Sequence, residues 1–278
     1  MTHDVIVIGG GPAGLSGAVA LGRALRSVLV IDSGQGRNAP AEGIHNYLTR
    51  DGMSPAEFRA AGRAEVERYG GQVIEGEVVS AAPGFEVALA DGSVHHARRL
   101  LVTAGVVDLL PEVPGLAERW GSTVLHCPYC HGYEVRGRAI GVIGAPDDPK
   151  NDDKVRLWSQ WSPDVRLLTL DEIAAVEDGG VRMTDGRLVP RDYLVVTTRL
   201  EARAGFLTSL GLEAVEHPMG VGTYVPAVDP TGRTAVDGVW VAGNIADPMG
   251  QVVTSAAAGL MAGAMINVDL LPPAPDKP

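Results

Sequence analysis

Residues 4–33 read DVIVIGGGPAGLSGAVALGRALRSVLVIDS, and this stretch decides the fold. Its residues 5–8 form an apolar run that is typical of a buried parallel strand. Gly9, Gly11 and Gly14 follow in a G-x-G-x-x-G pattern at the predicted turn from strand to helix. In this pattern the first glycine permits a tight turn and the second lets the backbone approach a pyrophosphate. The third lets the helix pack close to the sheet.

The rest of the same stretch completes a dinucleotide-binding unit. Pro12 and Ala13 open the predicted helix, whose N-terminal N–H groups and positive dipole end favour phosphate oxygens. Asp32 closes the second strand about 20 residues further on, where a carboxylate can accept the ribose hydroxyls. Because strand, turn, helix, strand and acid occur in order, we predict a dinucleotide site rather than a structural glycine turn. Asp32 disfavours a 2′-phosphate but does not separate FAD from NAD.

Length and charge narrow the classes of function. The chain has 278 residues, which is enough for two domains with separate cores. Its formal net charge of -11 argues against a nucleic-acid partner and favours a small molecule, because phosphate binding needs a basic surface. No export signal opens the sequence, so we expect a cytoplasmic protein. The apolar stretch 252–271 contains polar residues, which predicts a packed helix rather than a membrane span.

Two further segments carry the pattern of a nucleotide-binding protein. Residues 98–116 (RRLLVTAGVVDLLPEVPGL) predict a strand that leads into Ala104 and Gly105. Residues 237–266 (DGVWVAGNIADPMGQVVTSAAAGLMAGAMI) predict a strand, a Gly-Asn turn and a helix of small residues. Together with residues 4–33, these segments resemble the low-molecular-weight thioredoxin reductase family of flavoproteins over essentially the whole chain. The resemblance implies an α/β fold with a Rossmann-like FAD domain, interrupted by a shortened second domain that carries Cys-x-x-Cys.

The resemblance also implies domain boundaries. We expect residues 1–112 and 234–270 to build the FAD-binding domain around residues 113–233. The inserted segment would be a degenerate NAD(P)H-type domain with the Cys-x-x-Cys. Residues 271–278 (LPPAPDKP) are expected to be a flexible tail.

Several FAD contacts follow from the resemblance alone. It implies that Asn244 replaces a family aspartate near the ribityl–phosphate region of FAD. It also implies that Gln251 and Val252, at a helix N-terminus, face the pyrimidine edge of the flavin, where a helix dipole stabilises the anionic reduced ring. The other cofactor contacts that we carry over are Asn46, Val78, Ala104 and Gly105.

The string HCPYCHGYE, residues 126–134, holds the only two cysteines, Cys127 and Cys130. Cys-x-x-Cys-His is also the c-type haem attachment pattern, but haem attachment goes with export. Zinc needs four ligands, and His126 and His131 adjoin the cysteines too closely in sequence to complete a tetrahedron well. A redox dithiol explains more, because backbone N–H groups and imidazolium at a helix start stabilise a thiolate. We therefore predict a redox-active dithiol and no metal.

The flanks of the dithiol modify the family pattern. The resemblance implies that Cys130 is the flavin-proximal thiol and Cys127 the interchange thiol. Thioredoxin reductases usually carry an aspartate after the second cysteine, where this chain has His131. That flank, together with residues 37–52 (RNAPAEGIHNYLTRDG), looks like the dithiol-oxidase branch, which closes disulfides in small natural products such as gliotoxin and holomycin.

Histidine suits the direction of electron flow in that branch. A base with a pKa of about 6.5 takes protons from thiols at neutral pH, where a carboxylate is a poor acceptor. We therefore predict that His131 is the catalytic base, the alternative being a capping or packing role. His126 is either a second acid–base group or structural.

The second domain lacks a complete nucleotide turn. Residues 138–145 (RAIGVIGA) repeat the start of a nucleotide-binding unit, but no glycine follows Gly144 until Gly179. Residues 164–172 lack the arginines that normally receive a 2′-phosphate, although Asp171 could contact a ribose. NAD(P)H binding is therefore disfavoured. Four carboxylates stand where they would repel a pyrophosphate: Asp147, Asp148, Asp152 and Asp153.

Three functional hypotheses follow. The leading one is an FAD-dependent dithiol–disulfide oxidoreductase that oxidises a small-molecule dithiol with O2 as acceptor. The first rival is a reductase of thioredoxin, or of a thioredoxin-like protein, fed by NAD(P)H or another donor. The second rival is a non-catalytic flavin-binding redox sensor. The resemblance suggests a homodimer through the FAD domains, without a nucleic-acid or membrane partner.

Overall fold

The computed structural model describes residues 2–272 of the chain. They form two compact units, each with its own hydrophobic core. Unit 1 takes the chain up to residue 39, residues 56–107 and the chain from residue 200 onward. Unit 2 consists of residues 40–55 and 108–199. Of the expected tail, residues 273–278 lie outside the described range.

The elements follow one another along the chain with short connections. The first part contains β1 (Thr2–Ile8), α1 (Pro12–Arg23), β2 (Val28–Asp32), α2 (Pro55–Arg68), β3 (Gln72–Glu75), β4 (Val78–Ala82), β5 (Glu86–Leu89), β6 (Val94–Val102) and β7 (Val106–Leu109). The middle part contains β8 (Val124–Leu125), α3 (Pro128–His131), β9 (Ile140–Gly144), α4 (Asn151–Trp158), β10 (Val165–Thr169), β11 (Ile173–Glu177), β12 (Gly180–Met183), β13 (Leu188–Pro190) and β14 (Tyr193–Val196). The last part contains β15 (Arg199–Ala202), β16 (Val215–Glu216), β17 (Thr223–Tyr224), β18 (Val239–Val241) and α5 (Val252–Asp269).

A largely parallel sheet organises unit 1. Strands β3, β2, β1, β6 and β18 run parallel, while β5 and β4 extend the sheet in antiparallel fashion. Alternate residues of β1 enter different cores, with Ile6 on one face and Val5 and Val7 on the other, because successive side chains of a strand point to opposite faces. Helices α1 and α5 cover the second face. The sheet is thus buried on both faces, as the apolar run in β1 predicts.

The division of the chain differs from the expected boundaries at residues 40–55, 108–112 and 200–233. Residues 40–55 and 108–112, expected in the FAD domain, belong to unit 2, whereas the segment 200–233, expected in the inserted domain, belongs to unit 1. Its residues Leu207, Leu212 and Val225 are buried in the core that contains Ile6 and Leu100 of the sheet. This segment supplies the cover for the first face of the sheet, which α1 and α5 do not reach.

Unit 2 is a small α/β unit of its own. Strands β10, β9, β14 and β8 form a parallel sheet, and β11, β12 and β13 form an antiparallel one. Among the described residues of this unit, α4 has eight residues and α3 has four. The α/β class and the shortened second domain are as the sequence predicts.

Helix α5 is long and apolar enough to cross a membrane by length and composition, the one such helix between residues 2 and 272. One of its faces, which includes Gly259, Ala262 and Ile266, is buried. Ala262 and Ile266 share a core with Ala13 and Leu21 of α1. The helix is therefore a packed helix of unit 1, in agreement with the sequence.

Candidate active site

The glycine turn after β1 is built for close backbone approach. Gly9 has a φ of 108°, and a β-carbon there would lie 2.5 Å from the carbonyl oxygen of Thr103. A β-carbon on Gly14 would overlap the carbonyl oxygen of Gly9. Around Gly11, by contrast, a β-carbon would meet nothing within 4 Å. The first and third glycines are thus required by packing, and the second faces open space of the kind that a pyrophosphate needs.

The N-terminus of α1 is available to an anion. Gly11 is its N-cap, Pro12 occupies the first turn, and no side chain caps the helix. The first turn has no acidic residue, and Ala13 is buried at its start. Backbone N–H groups at such an end are unsatisfied within the helix and attract phosphate oxygens. The residues of this turn therefore fit the pyrophosphate of FAD.

Asp32 lies at the turn, as predicted for a ribose-binding carboxylate. It ends β2, it is buried, and a β-carbon on Gly10 would lie 2.7 Å from its Oδ2 atom. Its carboxylate accepts a hydrogen bond of 2.6 Å from Nη2 of Arg63, a residue of α2 that the sequence did not single out. Arg63 fixes the orientation of the carboxylate beside the glycine turn.

The ends of neighbouring strands meet at the same edge of the sheet. Thr103, directly after β6, donates from Oγ1 to the carbonyl oxygen of Gly9 at 2.8 Å. The N–H of Ala242, directly after β18, donates to the carbonyl oxygen of Val102 at 3.0 Å. Ligands of open α/β sheets bind outside the carboxyl ends of the strands, at the point where the strand order reverses. Here that point lies between β1 and β6.

Three other predicted cofactor residues lie at this edge or in the sheet beside it. Ala104 and Gly105 follow Thr103, and Gly105 has a φ of 72° with open space around it. Val78, the first residue of β4, and Ala104 are half-buried against the unit 1 core. Asn46 is different because it belongs to unit 2, where its Nδ2 donates to the carbonyl oxygen of Tyr129 at 2.7 Å.

The side-chain amide of Asn244 bridges the turn before α5. Nδ2 of Asn244 donates to the carbonyl oxygens of Gly250 at 2.7 Å and of Asp247 at 3.0 Å. Gln251 is the N-cap of α5 but its side chain makes no capping hydrogen bond, and Val252 is the first helical residue. An 18-residue helix thus begins without a side-chain cap. This end fits the role that the resemblance implies, which is to face a group that gains negative charge.

The dithiol lies at the start of a short helix in unit 2. Cys127 is the N-cap of α3 in extended conformation, Pro128 follows it, and Cys130 is within the helix. Both cysteines are half-buried. The preceding residue, His126, is bonded through Nδ1 to the carbonyl oxygen of Val196 at 3.2 Å. Because a carbonyl only accepts, Nδ1 carries the proton of this bond.

His131 ends α3 and faces several titratable groups. Burial lowers the pKa of His131 below its ordinary value, the nearby carboxylates of Glu134 and Glu42 act to raise it, and His45 and His126 act to lower it. The net result is a lowered pKa, so the ring is neutral at neutral pH. A neutral imidazole can accept a proton, which agrees with the role of base that the sequence predicts.

Sequence reasoning missed two residues of this cluster. Nε2 of His45 lies 3.7 Å from Oε1 of Glu134, and its Nδ1 lies 3.4 Å from Oδ1 of Asp51. Glu134 stands three residues after His131, a spacing that places two side chains on one face of a helical turn. That spacing was a usable signal, whereas nothing in the sequence connects residue 45 with residue 134.

The second β-turn-α unit offers no comparable cradle. A β-carbon on Gly144, at the end of β9, would overlap the side-chain amide of Asn151. The carboxylate of Asp148 is bonded to Nζ of Lys154 at 2.7 Å and to the N–H of Lys150 at 2.9 Å. The turn is therefore filled and held by its own side chains.

The described residues contain no group of three or more His, Cys, Asp or Glu side chains that could hold a metal ion.

Comparison with known proteins extends over nearly the whole chain. The family model described as "Pyridine nucleotide-disulphide oxidoreductase" matches residues 3–146. Thioredoxin reductase tcpT of Claviceps purpurea is 33% identical over 307 aligned residues, covering 96% of this chain and 94% of that protein.

Solved structures agree. An oxidoreductase from Agrobacterium tumefaciens superposes with a TM-score of 0.89 and 35% identity, covering 97% of this chain and 99% of the other. The structure of HlmI gives a TM-score of 0.87 and 38% identity, with coverage of 97% and 92%. The glycine cradle, the dithiol and these similarities together show that the chain belongs to the pyridine nucleotide-disulphide oxidoreductase family, as a thioredoxin reductase-like flavoenzyme that acts on thiols and disulfides.

Proposed function

We propose that this protein is an FAD-dependent dithiol oxidase, which closes a disulfide in a small molecule and uses O2 as the final electron acceptor. The observation that carries the proposal is the contrast between its two β-turn-α units. Gly11 in the turn of the first unit faces open space, whereas the side chain of Asn151 occupies the turn of the second unit, where its Nδ2 donates to the carbonyl oxygen of Ala145 at 2.9 Å. Electrons are then supplied by thiols, because the fold provides a place for FAD but a poor one for a nicotinamide donor.

The acidic residues around the second turn also support electron supply by thiols rather than by a nicotinamide. Asp152 and Asp153 stand in the first turn of α4, where the dipole and N–H groups would otherwise receive a phosphate. The Oδ1 atom of Asn151 is buried without a hydrogen-bond partner among the described residues. Asp171 and Glu172 follow the end of β10. Their negative charges disfavour binding of the 2′-phosphate of NADPH.

The chemistry at the dithiol follows from the residues of unit 2. His131 takes the proton of a substrate thiol, and the resulting thiolate attacks a disulfide formed between Cys127 and Cys130. A substrate–Cys127 mixed disulfide forms and Cys130 leaves as a thiolate, which is protonated. The second substrate thiol then attacks the mixed disulfide, so that a cyclic disulfide leaves and both cysteines are reduced. When bound, FAD would take the electron pair from this dithiol and pass it to O2, which gives hydrogen peroxide.

The surroundings of the dithiol favour a small substrate with an apolar ring. Tyr129, between the cysteines, is 60% exposed and packs edge-on against Trp161 at a centroid distance of 6.0 Å. Tyr133, which follows the dithiol, is 66% exposed. Exposed aromatic rings beside a reactive group offer contact area to a planar ligand at a low entropic cost.

We further propose a cytoplasmic homodimer that forms through unit 1. The outer face of α5 exposes the apolar residues Val253, Leu260, Met261 and Val268. An apolar strip of this kind on a helix is typical of an interface. A Leu260→Glu variant that remained a dimer by light scattering would contradict this assignment.

A second candidate function is the reduction of a thioredoxin. The name of the tcpT relative favours it, because that protein is called a thioredoxin reductase. This candidate requires a donor such as NAD(P)H, so it predicts rapid consumption of NADPH or NADH in the presence of a disulfide substrate. A third candidate, a non-catalytic redox sensor, predicts no turnover with any thiol.

The test of the proposal is steady-state turnover with dithiols that carry an aromatic or heterocyclic ring. The wild-type protein should consume O2 and release hydrogen peroxide in equal amounts with the cyclic disulfide. Cys130→Ser should abolish turnover while FAD remains bound, as judged from its absorption. Peroxide formation at the same rate in Cys130→Ser would refute a role for the dithiol.

A further inference from the structure

We propose that His45 is a positioning residue for the dithiol chemistry, which holds the carboxylate of Glu134 beside the His131 base. The inference rests on the proposed function, because it concerns the proton that leaves the substrate thiol. All three residues belong to unit 2.

His45 lies between two carboxylates. Its Nε2 is 3.7 Å from Oε1 of Glu134, and its Nδ1 is 3.4 Å from Oδ1 of Asp51. The His45 side chain is 21% exposed, against 43% for Glu134 and 69% for Asp51. The two carboxylates thus lie on opposite sides of the ring, each within ion-pair range of one ring nitrogen. The ring therefore connects an exposed acid of the loop with the acid that follows α3.

The loop that carries His45 is fixed at three points. Ile44 is buried, and its N–H donates to the carbonyl oxygen of Met53 at 2.8 Å. The N–H of Asn46 donates to Oδ1 of Asp51 at 3.0 Å. The side chain of Asn46 donates to the carbonyl oxygen of Tyr129, between the two cysteines, at 2.7 Å. His45 is thus placed by the backbone on both sides of it rather than by its own contacts.

Glu134 follows the base on the same helical turn. The N–H of Val135 donates to the carbonyl oxygen of His131 at 3.2 Å, so a helical turn continues past the end of α3. Residues three apart on such a turn lie on one face. The charge of Glu134 is the largest of the influences that raise the pKa of His131.

The position of the Glu134 carboxylate matters because His131 becomes positively charged during the reaction. When His131 takes a proton from a substrate thiol, a positive charge develops on a half-buried ring and a thiolate forms in the same step. A carboxylate near that ring stabilises the charge, and its effect depends on its distance. The other titratable groups that act on His131 are Glu42, which raises its pKa, and His126, which lowers it. His45 affects the base in two opposite ways, since its own charge acts to lower the pKa of His131 while its contact keeps Glu134 close.

Because these two effects are opposite, the direction in which the titration midpoint of His131 moves tests the proposal. We expect Glu134→Gln to move the titration midpoint of the His131 imidazole to lower pH, as measured by NMR on the reduced protein. If His45 positions Glu134, His45→Gln moves the midpoint in the same direction. The double variant then matches His45→Gln alone, because Glu134 no longer acts on the base once His45 is absent, and its midpoint lies above that of Glu134→Gln, which keeps the lowering influence of His45. If His45 acts only as a neighbouring charge, its removal moves the midpoint to higher pH, which overturns the proposal.

Two further variants keep the result interpretable. Glu118→Gln makes the same chemical change at an exposed position of unit 2 and should leave the midpoint unchanged. His45→Asn also removes the imidazole ring and repeats the test if His45→Gln does not fold. Its midpoint should also move to lower pH, and an unchanged midpoint overturns the proposal.

A second readout follows the thiols directly. The pH dependence of flavin bleaching by an aromatic dithiol, mixed without oxygen, should have its acid limb displaced in the same direction as the NMR midpoint. Absence of bleaching in the wild-type protein would refute the proposed function together with this inference. Normal bleaching with an acid limb that His45→Gln leaves unchanged would refute the inference alone.

Discussion

Gly259 of α5 lies directly against the backbone carbonyl of Ala13 in α1, so closely that a β-carbon on Gly259 would overlap the carbonyl oxygen. The same line of contact continues where a β-carbon on Gly263 would lie 2.7 Å from the carbonyl oxygen of Gly17. This approach packs together α1 and α5, which both begin without a side-chain cap. Glycine at these positions is therefore a packing requirement of unit 1.

Gly259→Ala should therefore destabilise unit 1. Overpacking by one methyl group against a backbone atom costs about 1–3 kcal/mol, because the helices must move apart. The measurement is the thermal midpoint of the protein without FAD, together with its FAD affinity. Ala264→Ser, on an exposed position of the same helix, is the matched control and should change neither value. A Gly259→Ala protein as stable as the wild type would show that the helices are not packed as described.

Gly11→Ala and Gly14→Ala should separate cofactor binding from folding. A methyl group at Gly11 meets open space, so the protein should fold with an unchanged thermal midpoint when FAD is absent. The same methyl group occupies the place of the pyrophosphate and should weaken FAD binding at least about tenfold, or about 1.4 kcal/mol. Gly14→Ala should instead destabilise the protein, since its methyl group overlaps the backbone of Gly9. Unchanged FAD affinity in Gly11→Ala would exclude this turn as the phosphate site.

We expect the protonation of His131 to determine how thiol oxidation depends on pH. Burial lowers its pKa below the ordinary value of 6.5, so the neutral base is present at neutral pH and is lost only as the pH falls below that value. The rate of flavin reduction by a dithiol should rise with pH through a midpoint below 6.5 and then level off. His131→Asn should reduce the plateau rate by about 10²- to 10⁴-fold. An acid limb that persists unchanged in His131→Asn would assign the base to another group.

We expect protonation of the buried His3 side chain to destabilise the folded protein in acid. It is a buried residue of β1, and burial, followed by the charge of His95, lowers its pKa. The unfolded chain then binds the proton more readily than the folded chain, so stability is complete above the ordinary pKa and declines as the pH falls below it. His3→Gln should reduce the difference in the free energy of unfolding between about pH 7.5 and about pH 5, which lie on either side of the ordinary histidine pKa. An undiminished difference would mean that other groups cause the acid sensitivity.

The parts of the fold that are encoded by a contiguous sequence motif could be predicted from the sequence. The order of strand, glycine turn, helix and acid in residues 4–33 predicts a unit whose residues are close in sequence. The structure confirms each of its elements, β1, α1 and β2. The filled turn after Gly144 was also foreseeable, because the missing glycines and the extra acids are local features.

Other parts depend on contacts that no local pattern reports. Asn46 bonds to Tyr129, 83 residues away, so its place in unit 2 is invisible in the loop sequence. Residues 200–233 lack a motif, and their return to unit 1 is decided by the burial of Leu207 and Val225 against the sheet. The pair of His45 and Glu134 belongs to the same class, since each residue alone reads as an ordinary polar surface residue.

The central claim is that electrons enter through the thiols of Cys127 and Cys130 and that no nicotinamide is needed. The most direct measurement is the absorption spectrum of the FAD-loaded protein, mixed without oxygen with an aromatic dithiol and, separately, with NADPH and NADH. The account predicts that the dithiol bleaches the flavin band within the time of turnover, while either nicotinamide bleaches it far more slowly. Rapid bleaching by NADPH or NADH, with none by the dithiol, would contradict the account.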